Sequence, residues 1–341
     1  MRALRCREHG AVSALVVEEI QDPSLLEGGV IVDVVAASVN FPDLLIIADQ
    51  YQVRIPVPFT PGGEFAGIVG AVEPGVESFS VGDRVMGTSQ IGAFAEKIVV
   101  PAGSLRLIPP AIDFTSAAAF GIAYRTAYLG LRTVANVKRG EWLVVLGAAG
   151  GVGLAAVELG HILGARVLAA ASSAPKLEVC RRRGAEATVN YSEEDLKLRI
   201  RQLSGEGADV ILDPVGGALS EQALRAIRYG GRFVSTGFAS GEIPCIPLNL
   251  VLLKGPVVTG FTLDALEAHR TAEVAEHETE LWRLFTERRV QPHIGGIFEL
   301  DQAKHALLEM GGRRAIGKLV VTIQPCEGLP LPVRRHVFPT G

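Results

Sequence analysis

The apolar positions divide the chain into two textures. Up to about residue 110, short β-rich runs alternate with turn residues: Val30 to Ala37, Gly67 to Val72, Arg84 to Met86 and Glu96 to Val100, separated by Gly28-Gly29, Pro61-Gly62-Gly63, Pro74-Gly75 and Gly82-Asp83. Short strands at this spacing predict a compact β-barrel-like domain. From about Thr115 the pattern changes. Ala117 to Leu131 reads as an apolar helix, and repeated strand and helix units follow: Trp142 to Leu146 then Val152 to Leu163, Arg166 to Ala170 then Lys176 to Arg183, Val210 to Leu212 then Ser220 to Ile227, and Gly231 to Ser235. This alternation calls for a parallel sheet with helices on both faces. A last strand of that series is predicted at Val257 to Thr262, after the Pro-rich loop Ile243 to Pro247. A charged helix from about Leu266 to Arg288 and a closing strand, Gly317 to Ile323, come after it, and the Pro-rich segment from Pro325 is expected to be irregular.

Composition narrows the function classes. A length of 341 residues argues for two domains, and 48% hydrophobic with 21% charged residues excludes a disordered chain. With 33 basic against 37 acidic residues, the net charge of -4 gives nothing with which to hold nucleic acid by bulk charge. The 39 glycines imply many tight turns, or backbone brought close to a ligand. Cys6, Cys180, Cys245 and Cys326 lie far apart without a CxxC pair, which argues against a disulfide framework and a cysteine-rich zinc cluster and for a reducing compartment. Apolar runs are broken before about 18 residues, and MRALRCREHG lacks the apolar core of a signal peptide. The expectation is a soluble, cytoplasmic protein with no membrane partner.

The most specific motif joins the two textures to a ligand. Trp142 to Leu146 runs into Gly147-Ala148-Ala149-Gly150-Gly151-Val152-Gly153 and then into an apolar helix, the strand, turn and helix context of a dinucleotide site. Gly150 lets the backbone approach a pyrophosphate, Gly153 lets the helix pack close to the strand, and the helix N-terminus supplies N–H groups and a positive dipole end. Ala148 stands in the place of the first glycine. An NAD site usually places an acidic residue about 20 residues beyond the glycines. Here Ala171 is followed by Ser172 and Ser173, with Lys176 close behind, so NADP(H) is favoured over NAD(H). The same serines also suit the cap of a helix starting near Ala174-Pro175, and both roles are compatible.

Together with Val39-Asn40-Phe41-Pro42-Asp43, Pro58-Phe59-Thr60-Pro61-Gly62-Gly63-Glu64 and Gly237-Phe238-Ala239-Ser240-Gly241, these features resemble the medium-chain dehydrogenase/reductase superfamily, in its zinc-independent, zeta-crystallin-like quinone oxidoreductase branch. The likeness runs from Met1 to about Ile323. It implies an α/β fold: a Rossmann doubly wound parallel sheet that binds NADP(H), residues 121–262, set into a GroES-like β-barrel catalytic domain, residues 1–120 and 263–341. In zinc alcohol dehydrogenases of the superfamily, the segment resembling Asn40 to Asp43 begins with a cysteine ligand and the segment resembling Gly62-Gly63-Glu64 carries a histidine ligand in the middle. This chain has Asn40 and Gly63 there, which leaves no tetrahedral ligand set and turns the chemistry away from alcohols.

What the resemblance implies is hydride transfer from NADPH to a small-molecule quinone or enone. An enoyl reductase acting on an enone or enoyl-CoA is the alternative, and a non-catalytic NADPH-binding protein like lens crystallins is a third reading. Asn40 and Asp43 would line the nicotinamide end of the cleft, and Tyr51 is the candidate acid or carbonyl-polarising group, although a tyrosine on a loop can simply pack. The cofactor would be held by Thr126, Ala149, Gly150, Gly151, Val152, Gly153, Ser172, Ser173, Lys176, Tyr191, Val215, Gly237, Phe238 and Lys318. Thr126 can instead bond its own helix backbone, Lys318 can be an exposed lysine opening a strand, and Arg181-Arg182-Arg183 reads better as a helix end than as a phosphate site. Family members pair the sheet edge near Val257 to Thr262 with its copy, which implies a homodimer.

Overall fold

The computed structural model describes residues 1–324, so the segment from Pro325 lies outside the described residues. The chain folds as two units, Met1–Gly121 with the segment from Ile294 onward, and Ile122–His293.

The first unit is built from β1 (Arg2–Arg5), β2 (Val16–Glu19), β3 (Gly29–Ser38), α1 (Phe41–Ile47), β4 (Glu64–Val72), β5 (Arg84–Thr88), β6 (Lys97–Pro101), β7 (Leu105–Leu107) and α2 (Phe114–Ala118). The ten-residue β3 is its organiser. It pairs with β4 and β6, and two register irregularities against β4 bend it. Phe65, Phe94, Leu4 and Ile47 fill the core.

The second unit begins with α3 (Gly121–Leu129), which runs into a π-helical turn at Gly130–Val134. Then come β8 (Trp142–Val145), α4 (Gly151–Ile162), β9 (Arg166–Ala171), α5 (Ala174–Arg182), β10 (Ala187–Asn190), α6 (Leu196–Ser204), β11 (Ala208–Asp213), α7 (Ala218–Arg225), β12 (Ile227–Ser235), α8 (Leu248–Lys254), β13 (Val257–Gly260), α9 (Leu263–His269) and α10 (Thr271–Thr286). Six parallel strands lie in the order β10-β9-β8-β11-β12-β13. Strands β8 and β11 are buried along their whole length, as expected for continuous apolar runs covered on both faces.

The chain then returns to the first unit with β14 (Ile294–Glu299), α11 (Ala303–Gly311) and β15 (Lys318–Thr322). β15 joins β3 antiparallel, Val321 opposite Ala37, so the C-terminal strand completes the N-terminal sheet and brings Lys318 beside the end of β3.

Several elements differ from the sequence expectation for physical reasons. The second passage between units falls after His293, not at 262/263, because α9 and α10 pack within the second unit. There Leu266 and Val274 join Leu129, Thr133 Oγ1 meets His277 Nδ1 at 2.7 Å, and Tyr128 donates to Glu280 at 2.7 Å. The expected helix Leu266 to Arg288 is two helices, broken at Arg270, whose φ of -132° and ψ of 40° are not helical. The strand expected to Thr262 stops at Gly260, and Thr262 caps α9 by accepting from Ala265 N at 3.3 Å.

Candidate active site

In the first unit, four polar side chains meet where β3, α1, β4 and β15 converge. Asn40 is the N-cap of α1, and its backbone N–H donates to Asp43 Oδ2 at 2.7 Å, half of a capping box. Its carboxamide donates to Glu64 Oε2 at 3.0 Å and to Ser38 O at 3.3 Å, and accepts from Lys318 Nζ at 2.5 Å. Lys318 also donates to Glu64 Oε2 at 3.1 Å and to Val39 O at 3.3 Å. Glu64 is 0% and Lys318 3% exposed, so this is a buried ion pair whose donors are satisfied. Burial pushes the Asp43 carboxyl up to about 7, with the Glu64 charge acting in the same direction; the N–H groups of Asn40 and Gly63 and the Lys318 ammonium offset part of that.

These contacts fix what two of the expected site residues are bonded to, and they exclude the alternative of an exposed Lys318. Both amide hydrogens of Asn40 are used, so it has no donor left to polarise an acceptor. Lys318 opens β15 but is neither exposed nor turned to the surface; it points inward to Glu64. Tyr51 follows α1 and packs half-buried against the core of this unit, with its phenol the remaining donor candidate.

The same residues do not make a metal cage. A Cβ on Gly63 would stand 2.9 Å from Ser89 O, so a ligating side chain there requires the backbone to shift. Asn40 and Glu64 are committed to each other and to the Lys318 ammonium. Among the described residues no group of three or more His, Cys, Asp or Glu is placed to hold a metal ion.

In the second unit the glycine turn leaves the end of β8. Ala148 N–H donates to Ala170 O at 3.0 Å and Gly150 N–H to Gly147 O at 2.9 Å, which fixes the turn against β9. A Cβ on Gly153 would lie 2.3 Å from Gly147 O, so helix and turn meet only because position 153 is glycine. The first intrahelical bond of α4 runs from Leu154 N–H to Gly150 O, and the N–H groups of Gly151, Val152 and Gly153 precede it. With Ala149 buried beneath, this end of α4 fits a pyrophosphate.

At the end of β9, Lys176 Nζ donates to Ser172 Oγ at 3.1 Å, and partial burial lowers the Lys176 pKa. Ser173 holds the N-cap position of α5, yet its hydroxyl makes no capping bond. Tyr191 N–H donates to Ala171 O at 3.1 Å, which holds its backbone beside this strand end, and its side chain packs half-buried against the core of the second unit. By contrast Arg181, Arg182 and Arg183 are taken up by Glu178 and Glu158 at the end of α5.

The loops after β11 and β12 are tied together: Ala239 N–H donates to Pro214 O at 3.1 Å and Ser240 N–H to Val215 O at 2.8 Å. Gly237 lies in the second loop, and Phe238, 38% exposed, lies against Gly216. Thr126 Oγ1 donates to Ile122 O at 2.7 Å, so its proton goes to its own helix. Two residues were missed from sequence. Asp213 is buried and accepts from Val215 N–H at 2.8 Å and Gly216 N–H at 2.9 Å, shaping the loop; an acid closing the apolar strand ADVILD was the available signal. Thr236, at the end of β12, has a buried hydroxyl with no partner among the described residues.

Known proteins share both halves of this arrangement. Residues 26–110 match the alcohol dehydrogenase GroES-like domain and residues 151–278 the zinc-binding dehydrogenase family. The quinone oxidoreductase-like protein 2 homolog of Nematostella vectensis is 38% identical over 94% of this chain and 88% of its own length. Among solved structures, the Escherichia coli quinone oxidoreductase complexed with NADPH has a TM-score of 0.88 at 29% identity, covering 94% of this chain and all of that one. An NAD-dependent alcohol dehydrogenase has a TM-score of 0.87 at 28% identity, covering 95% of this chain and all of that one. The fold is that of a medium-chain dehydrogenase/reductase, a Rossmann sheet with a GroES-like unit. Within that superfamily of oxidoreductases, the chain belongs to the quinone oxidoreductase-like family.

Proposed function

We propose that the protein is a zinc-independent oxidoreductase that reduces quinones, or similar conjugated carbonyl acceptors, by hydride transfer from NADPH. The observation that carries this reading is the donor set around Asn40. Position 63 has no side chain, and the lone pairs of Asn40 Oδ1 and Glu64 Oε2 face a lysine ammonium, so these groups cannot assemble the three protein ligands of a catalytic zinc. Without a metal held here to acidify its hydroxyl, an alcohol lacks the assistance that a zinc site gives, whereas a quinone needs little help.

The choice of NADPH rests on β9, which ends at Ala171 with no carboxylate to repel a 2′-phosphate. Ser172, Ser173 and Lys176 supply hydroxyl donors and positive charge at that point. Support also comes from the Escherichia coli quinone oxidoreductase, which was crystallised with NADPH. The similar alcohol dehydrogenase is NAD-dependent, so the choice depends on this chain's own residues. The N–H groups of Gly151, Val152 and Gly153 would receive the pyrophosphate. Bound NADPH supplies the hydride. Negative charge would then develop on the acceptor oxygen, and the Tyr51 phenol is the candidate donor of the first unit.

Tyr51 also favours a second reading, an enoyl reductase for an enone or enoyl-CoA, because saturation of that double bond must deliver a proton to carbon, whereas the hydroquinone oxygens can take their proton from solvent. Steady-state assays with a small quinone, an alkenal and a short enoyl-CoA separate the two. Turnover of the thioester alone would overturn the quinone reading, and tight NADPH binding without turnover of any acceptor would favour a crystallin-like binding protein. The partners are a small molecule and a second copy of this chain, with no nucleic acid and no membrane, in the cytoplasm. Among the described residues no helix is long and apolar enough to cross a membrane. The dimer reading rests on β13, an edge strand with Val257 and Val258 exposed, beside α8 with Leu248, Leu252 and Leu253 exposed.

A further inference from the structure

We propose that Lys318 is a positioning residue which, with Glu64, fixes the start of α1 through Asn40 and Asp43, and that this buried quartet makes the start of α1, and with it the Tyr51 loop, respond to a single proton. The argument begins with charge. Two carboxyl groups and one ammonium share a site from which water is excluded: Asp43 is 2%, Glu64 0% and Lys318 3% exposed. One ammonium balances one carboxylate, and a second buried charge is costly unless it is paired.

The geometry decides which carboxyl is balanced. Lys318 Nζ lies 3.1 Å from Glu64 Oε2, whereas Asp43 receives only neutral N–H groups, from Asn40 and from Gly63. The charged groups that face Asp43 are Lys318 from β15 and Glu64 from β4, and they act in opposite directions. Asp43 is thus the member that takes up a proton, consistent with a carboxyl titrating near neutrality.

The consequence falls on α1. When Asp43 is ionised, the Asn40 N–H bond and the helix dipole offset only part of the cost of a second buried charge, so an opened start of α1, in which the carboxylate is solvated, gains on the closed one. Protonation removes that cost and favours the closed start of α1. The helix has only seven residues, and its last bonds run directly into the next loop, with Ala48 N–H on Leu44 O at 3.0 Å and Gln50 N–H on Leu45 O at 2.8 Å. Tyr51 is the next residue. A looser start of α1 therefore reaches Tyr51 through one short element, while Lys318 acts on it only through Asn40 and Asp43.

The test is a direct titration of the Asp43 carboxyl in the whole protein by isotope-edited infrared difference spectroscopy, with Asp43→Asn to assign the band. A midpoint near neutrality is expected, moving upward by about one pH unit or more in Lys318→Met, because a nearby cation is lost, and unchanged in Lys318→Arg. Hydrogen exchange at residues 48–53, corrected for the intrinsic rate, should speed up in the wild type as pH rises through that midpoint and show no such step in Asp43→Asn. An Asp43 carboxylate ionised well below neutrality, or exchange in this loop with no step at the midpoint, would overturn the proposal, and both are read on the wild type if Lys318→Met fails to fold. In the quinone assay, which rests on the function proposed above, the kcat profile should follow the same midpoint with the NADPH KM changed less than about twofold. Absence of quinone turnover would sink the functional reading and leave the spectroscopic result standing.

Discussion

At Asp43 the sign of a pH effect can be worked out before any measurement. Its folded-state pKa, about 7, lies above the usual carboxylate range, so between the two the native state binds the extra proton. The contribution of this group to stability is present below the usual range and is lost as pH rises through about 7. Urea unfolding of the wild type and Asp43→Asn at about pH 5 and about pH 8 should therefore show the variant gaining relative to the wild type at the higher pH; parallel behaviour would contradict a buried, neutral-range carboxyl. At Lys176 the expected effect is on cofactor choice. Lys176→Ala should weaken NADPH by about 1.5 to 3 kcal/mol while sparing NADH, as fluorescence titration would report, and equal affinities for the two cofactors in the intact protein would defeat the assignment. Asn40 and Asp43 were legible as a motif, but the partnership of Glu64 with Lys318 was not. Those two lie 254 residues apart, and no local pattern encodes a contact made when the last strand joins β3. Lys318 read equally well as an exposed lysine because burial of a charge is visible only once its partner is in place.

The elements of the Rossmann unit were the easiest to read. Strands such as β8 and β11 are short apolar runs ended by turn residues, and the glycine turn after β8 has a physical reason at each position. Gly153 makes that reason testable. Gly153→Ala sets a methyl group 2.3 Å from Gly147 O, within backbone that cannot rotate away. Overpacking of this kind costs about 1 to 3 kcal/mol, so a lowered urea midpoint and weakened NADPH binding are expected together, and unchanged values for both would mean that the turn is not the tight cradle described. Other elements resisted reading. Helix α1 is seven residues long, too short for a 3.6-residue period to stand out, and β14, with two adjacent glycines in IGGIFE, has little of the β-branched alternation that marks a strand. The break between α9 and α10 at Arg270 carries no Gly or Pro, so a continuous charged helix was the natural expectation.

For the whole molecule, the exposed apolar side chains of α8 and β13 set an expectation about assembly. Light scattering at micromolar concentration should give a dimer, and the double variant Leu252→Glu, Val258→Lys should give a monomer; a wild-type monomer would remove the second copy from the account. The central claim is chemical, and one measurement addresses it most directly: the rate of NADPH oxidation by the purified protein with a small quinone, compared with NADH and with a primary alcohol and NADP⁺ in the reverse direction, at the metal content found on purification. Rapid quinone-dependent oxidation of NADPH, slower with NADH, with no alcohol oxidation and no stoichiometric zinc, is the expected result. Alcohol oxidation that tracks bound zinc would contradict it.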